Sequence, residues 1–352
     1  VNEGEEISYP DIPITDPEQL PYIQKLDQVS FKAHLESVLD EPMHPQIETA
    51  IEQYCWSSLC ASASEVSAAA GLNFYAAEFG NIALLPGGNA KVSETIVEKL
   101  YQSLPENHLR ANSLVFDVEV GKDGVRVAYL DGTGKIQSLL AQSVVMACPK
   151  FVAAKLINDL EPERIAAIAQ LRYRSYLVAN VCLNGPVKDP FYDLYLLGSG
   201  ELQGEDARSA SQKQKVTDVI VADYASRKPG SDHSVLTLYR GLPYDGARAE
   251  LFAPDAYQTY KQQFEQQVTE SILPMLKISK DQVADLRMAR WGHPLVVPKP
   301  GQITSNTVNI IRKPFRDQVF FVEQDNWMLP AFETSVTEAL LFEPKIRAAL
   351  KR

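Results

Sequence analysis

Basic charge is scarce in this chain. Its 352 residues carry 34 lysines and arginines against 45 aspartates and glutamates, for a net charge of −11 and a pI near 5.1. Nucleic acid and anionic membrane surfaces need basic patches, so a nucleic-acid partner is excluded. Long apolar runs are also missing, and no stretch reaches the roughly 18 residues of a transmembrane segment. There is no GxGxxG, no Walker loop, no HExxH and no GxSxG, and the five histidines are scattered. A histidine metal site and a nucleophile-elbow hydrolase therefore have nothing behind them. Asp232-His233-Ser234 holds triad residue types, but adjacent residues cannot converge as a triad. The four cysteines, Cys55, Cys60, Cys148 and Cys182, lack zinc-like spacing and read as buried free thiols. The start, Val1 to Glu6, has neither a basic nor an apolar leader region, so no signal peptide is visible. A chain that opens on Val without Met reads as a processed or cut product. Any targeting segment would precede Val1, and the compartment stays open.

What is present fits an ordinary globular protein, with 45% hydrophobic and 22% charged residues. The length suits two domains at about 150 residues each. Residues 1–26 are acidic and proline-rich and read as an extended arm, with Glu3, Glu5 and Glu6 as a solvated end. Helices are expected from Phe31 to Leu39 behind a Ser30 cap, from Pro45 to Cys60, and from about Ser64 to Phe79. Leu84-Leu85-Pro86-Gly87-Gly88-Asn89 is a phosphate cradle or a plain turn, followed by an amphipathic helix with Val92, Ile96, Val97 and Leu100. Strands are expected at Leu114 to Val120, Val125 to Leu130 and Ile136 to Leu140, joined by glycine turns. A short apolar strand, 143–148, stops at Pro149, with a helix from about Phe151. Residues 175–184, 217–224 and 234–240 read as strands of a separate sheet, and 198–215 as an exposed, low-complexity loop. A long helix opens at Pro254, and a strand from about Gln282 ends near Trp291.

The most informative stretch is 317–341. Val319 to Val322 is an unbroken apolar run, as in a strand buried on both faces, and Asp325 and Asn326 end it. Pro330 precedes an amphipathic helix with Val336, Leu340 and Leu341 at helical spacing. Such a turn points backbone N–H groups and a positive helix end at whatever lies above the strand.

Four pieces in order resemble the flavin-containing amine oxidase superfamily, which includes monoamine and polyamine oxidases, protoporphyrinogen oxidase and phytoene desaturases. They are Leu85-Pro-Gly-Gly-Asn89 before a helix; Val115-Phe-Asp-Val118 with Ser143-Val-Val-Met-Ala-Cys-Pro149; Arg290-Trp291 with Pro294 and Pro300-Gly301; and residues 320–336. The resemblance covers roughly residues 28 to 350. It implies an α/β (α+β) chain in which an incomplete FAD-binding domain joins a substrate domain with a mixed or antiparallel sheet and helices. By that layout 1–26 is the arm, 27–149 with 292–352 the remainder of the FAD-binding domain, and 150–291 the substrate-binding domain. The implied cofactor neighbours are Val118 at the adenine end, Pro149 at the diphosphate–ribityl side and Trp291 beside the isoalloxazine. Glu323, Gln324 and Asp325 would meet the ribityl chain, while Pro330, Ala331, Phe332, Glu333 and Thr334 face the N1–C2=O edge.

The sequence departs from the family pattern in three places. The glycine-rich βαβ unit is absent, Glu323-Gln324 stand where glycine and an acidic residue are usual, and no lysine occurs around residues 175–184. The resemblance implies FAD in the full-length protein, held weakly or not at all by these residues, and hydride removal from an amine or an apolar substrate carbon. The alternative is a non-catalytic relative binding an apolar ligand or a protein partner. No catalytic residue, metal or electron acceptor is assigned. A small-molecule substrate is expected, and a homo-oligomer is left open.

Overall fold

The structure, a computed structural model, describes residues 9–79, 85–188, 191–198, 206–226 and 232–351. Glu3, Glu5, Glu6, Leu84 and residues 199–205 of the expected loop lie outside the described residues.

The stretch expected as an extended arm instead ends in a helix, α1 (Leu20–Asp27), which packs on the helix Ala68–Ala77. Ile12, Ile23 and Leu26 are buried with Ala68, Ala69 and Ala70, so this segment belongs to the core. Helices α2 (Phe31–Val38) and α3 (Pro45–Leu59) follow the expected starts, and α4 (Ala68–Ala77) begins after Ser67 where the sequence placed its start at about Ser64. Ser30 and Ser67 accept from Ala33 N–H and Ala69 N–H, and Pro45 fills the first turn of α3. The α4 helix is shorter than expected, because residues 62–66 turn before the Ser67 cap. Gly87 and Gly88 hold φ of 93° and 77°, which glycine alone adopts freely. After them α5 (Ala90–Ser103) buries none of its residues, and Ile96, Val97 and Leu100 stand exposed.

Strands β1 (Leu114–Gly121), β2 (Gly124–Leu130) and β3 (Ile136–Ala141) form an antiparallel meander. Next come β4 (Val144–Met146), α6 (Lys150–Leu156) and α7 (Pro162–Ile168). Residues β5 (Tyr173–Leu183) and β6 (Asp193–Tyr195) then enter a second sheet. Part of the expected loop is a helix, α8 (Ala207–Gln214). Asp206 caps it by accepting from Arg208 N–H at 3.1 Å and Ser209 N–H at 3.0 Å, and Ala210 and Ser211 are buried. After β7 (Asp218–Val221), β8 (Ser234–Leu242) and α9 (Ala247–Leu251), helix α10 (Ala256–Gln267) passes through a π turn, Val268–Ile272, into α11 (Leu273–Met275). Strand β9 (Val283–Val296) does not end near Trp291 but continues through Pro294. It is an edge strand, where a residue without N–H is tolerated.

The second sheet has order β6-β7-β8-β5-β9 and is antiparallel throughout. Alternation on β5 sends Leu177, Ala179, Val181 and Leu183 into a core with Phe264, Val268 and Ile272. Tyr176 points to the opposite, inner face, where its hydroxyl donates to Ser57 O on α3 at 2.9 Å. The chain closes with α12 (Asn306–Arg312), β10 (Val319–Phe321) and α13 (Phe332–Ala349). As the apolar run requires, β10 is wholly buried, and it pairs in parallel with β4, Phe320 opposite Val145.

Candidate functional site

Because β4 and β10 are parallel, both deliver their carboxyl ends to the same edge, the place where α/β sheets present ligand sites. From β4 the chain passes Pro149 into α6. From β10 it passes a 3-10 turn, Gln324–Trp327, into α13. Lys150, the first residue of α6, is 0% exposed. Its ammonium donates to the Glu323 carboxylate and to Asn326 Oδ1. Its backbone N–H donates to Asp325 Oδ2 at 2.9 Å, and the Tyr173 hydroxyl donates to the same oxygen at 2.5 Å. Glu323 Oε2 accepts the N–H of Asp325 at 2.7 Å, capping the turn. The His293 ring lies 4.4 Å from that of Phe151, and Gln324 Nε2 donates to Pro294 O at 2.9 Å. Four strand ends, from β4, β5, β9 and β10, thus meet here.

A second charged layer lies behind the turn. Glu338 on α13 is fully buried and accepts from Trp327 Nε1 and Arg312 Nη2, each at 2.7 Å, and from Asn326 Nδ2. Asn326 also donates to Phe321 O at 2.8 Å, so one amide ties strand, turn and helix together. Two of these buried carboxylates have a cation, Lys150 for Glu323 and Arg312 for Glu338, while Asp325 is held by neutral donors. Burial pushes the Glu323 carboxyl above its ordinary value against the opposing pull of Lys150. Burial, then the Asp325 charge, raises the Tyr173 phenol. His293 is lowered by burial and by Arg248, whose Nε donates to Nδ1 at 3.1 Å.

Of the residues singled out in the sequence, Pro149, Glu323, Gln324 and Asp325 come together at this edge. Pro330 is buried, and Ala331 starts α13 without any side-chain cap. Phe332 is 55% exposed and Glu333 is exposed in the first turn. Thr334 is buried, and its hydroxyl has no hydrogen-bond partner. Trp291 is 54% exposed on β9, two residues before His293. Val118 is not brought to the edge; it is core, packed with Met146, Ile157 and Phe321. The apolar positions that mark α13 in the sequence are not its buried face. Val336, Leu340 and Leu341 are exposed, while Thr334, Glu338 and Phe342, four residues apart, form the buried face. A carboxylate with three donors outcompetes an apolar stripe for the inner side.

Sequence reasoning missed Lys150, Tyr173, Arg312, Asn326 and Glu338 as parts of this site. The one local signal was Glu338, placed a turn after Thr334 and a turn before Phe342. Chemically, the edge offers a helix start with unspent N–H capacity, an unpartnered hydroxyl and exposed aromatic faces. It suits a flat polar ring that takes on negative charge at one side.

A family model described as flavin containing amine oxidoreductase matches residues 13–298. A curated relative, the oxidoreductase PigB of Serratia sp. (strain ATCC 39006), is 24% identical over 295 residues, 83% of this chain and 42% of its own length. The chain therefore spans less than half of that relative. Among solved structures, cyclohexylamine oxidase from Brevibacterium oxydans IH-35A is 18% identical with a TM-score of 0.60, covering 98% of this chain and 72% of its own. A putrescine oxidase variant redesigned in cofactor binding is 16% identical with a TM-score of 0.64, covering 97% of this chain and 71% of its own. At such identities these two show a shared fold.

Proposed function

The chain belongs to the family of flavin-containing amine oxidoreductases, and on that premise we propose that it forms the closing wall and substrate side of an FAD site. The whole protein is then an oxidoreductase that removes a hydride from an amine or an apolar substrate carbon. The observation that carries this reading is the start of α13, where an uncapped helix end adjoins the buried, unpartnered Thr334 hydroxyl. FAD, when bound, supplies the isoalloxazine ring that accepts the hydride. The α13 N–H groups and Thr334 would hold the negative charge arising at its N1–C2=O edge. Trp291 and Phe332 offer exposed faces to a flat ring. Lys150, Glu323 and Asn326 position the turn that carries the helix start. The ring end of the cofactor thus fits the residues present. For the diphosphate the described residues hold no glycine-rich strand–turn–helix, so that half gets no cradle from them. Residues 150–291 act as the substrate side in this reading, and 27–149 with 292–352 as the flavin side.

A second reading, a non-catalytic relative that binds an apolar ligand or a protein partner, draws support from the Lys150–Glu323 pair, which fills a turn where glycine is usual. Titrating the protein with FAD and, separately, with lumiflavin (the ring without ribityl or nucleotide) tests the choice. Quenching of lumiflavin fluorescence by the wild-type chain, weakened in Thr334→Val, supports the flavin wall. No lumiflavin binding by the chain, together with no flavin in the protein purified from its complete reading frame, favours the second reading.

A further inference from the structure

The face of the five-stranded sheet turned away from α3 carries a buried cation that no carboxylate among the described residues neutralises. Arg240 on β8 stands opposite Leu177 on β5, whose side chain enters the core under α10, so Arg240 points to that side as well. It is 2% exposed. Its Nη1 donates to Gln263 Oε1 on α10 at 2.6 Å, its guanidinium lies 5.1 Å from the Tyr260 ring, and its Nε has no hydrogen-bond partner. Burial works against its charge, and the groups that favour it are two phenols, Tyr260 and Tyr244. An arginine keeps its proton even so, and buried charges in folded proteins are as a rule paired.

The guanidinium lines a cavity of about 440 Å³ bounded by α8, α9 and the start of α10. Helix α10 opens beside it at Ala256 with no side-chain cap on its first N–H groups, so a positive helix end adds to the arginine. One carboxylate reaches the wall, Glu250, and it is already held. Its Oε2 accepts from the Tyr244 hydroxyl at 3.0 Å, and its Oε1 meets Arg208 Nη2 at 3.1 Å. What stays unmatched is the Nε edge of Arg240, a fork shaped for two oxygens of one anion.

We propose that Arg240 and the start of α10 form a binding site for a small oxyanion, a carboxylate or a phosphate taken at the Nε edge of the guanidinium. Thr259 and Gln212 bring a hydroxyl and an amide to the same cavity for the remaining oxygens. The site is separate from the flavin edge. Trp291 pairs with Tyr176, and Tyr176 reaches α3 on the other side of the sheet. Oxyanion binding here therefore stands or falls independently of flavin, and a bound anion ties β8 to the helices that cover it.

Titration calorimetry with sodium phosphate and, separately, with disodium glutarate tests this, at ionic strength held constant with sodium chloride and with glutaramide as the neutral control. Wild type, Arg240→Met and Gln263→Glu are compared. A glutamate at 263 accepts from the same Nη1 and supplies the missing countercharge from within, at nearly unchanged side-chain shape. Wild type should bind at least one of the anions and melt at a higher temperature in its presence. Both variants should bind it about tenfold or more weakly, and Gln263→Glu should melt above anion-free wild type. Glutaramide should bind to none of them. If Arg240→Met fails to fold, Gln263→Glu still decides. Binding of phosphate alone or of glutarate alone identifies the class of anion, and either supports the site. No binding by wild type above the chloride background, or binding that the folded variants retain in full, overturns it.

Discussion

Glu323 holds a buried negative charge at the strand end, and its partner is a lysine with no exposed surface. Removing one member of such a pair leaves the other uncompensated in a medium that solvates it poorly. Glu323→Gln keeps the shape and removes the charge, and should lower stability by about 3 kcal/mol in urea unfolding. A loss below about 0.5 kcal/mol would mean that water reaches Lys150 after all. Asp218 illustrates the opposite case, a buried carboxyl without a cation. Its folded value, about 7, lies above the unfolded one, so the folded state binds the extra proton. The stability it contributes is present at low pH and is lost as pH rises from about 4 toward about 7. Asp218→Asn should therefore gain on wild type between pH 5 and pH 8, read as a larger urea midpoint difference at pH 8. A difference that is flat with pH would contradict the burial argument.

At the scale of elements, α13 carries both the helix start and an exposed apolar stripe. Leu340 is 71% exposed, whereas Phe342 is buried beneath the ring of Phe320. Leu340→Lys should change stability by less than about 0.5 kcal/mol, and Phe342→Ala should cost about 3 kcal/mol or more. Comparable losses in paired chemical melts would show that the apolar stripe is the packed side. The Thr334 hydroxyl is buried without a partner, so Thr334→Val should stabilise the flavin-free chain by about 1 kcal/mol. The same substitution should weaken flavin binding, a trade that a purely structural threonine would not show. Helix α5 repeats the exposed apolar pattern with Ile96, Val97 and Leu100, so two helices present unpartnered apolar faces among the described residues.

Across the whole molecule, what could be read in advance was what the chain encodes locally. Alternation on β1, β2, β5 and β8, the serine cap of α2, and the buried run of β10 each involve residues that lie close together in the chain. Helix α8 escaped notice because Arg208 to Lys215 has no apolar period; an Asp206 cap and two small buried residues hold it. Strand β6 has three residues, too few to show a period. At the candidate site, the turn was legible because a polar break follows an apolar strand. The network around it was not, because Lys150 meets Glu323 across 173 positions and Asn326 across 176. One sequence carries no trace of such pairings, and the same holds for Asp218, which meets Ser57 across 161 positions. The buried side of α13 was not legible because hydrophobic spacing cannot weigh a carboxylate against its distant donors.

The central claim is that this chain closes a flavin site. The visible absorption spectrum of the protein purified from its complete reading frame tests it most directly. The expected result is the two visible bands of a bound oxidised flavin, released on denaturation and bleached anaerobically by a substrate amine. A colourless, folded protein that releases no flavin and takes up none would contradict it.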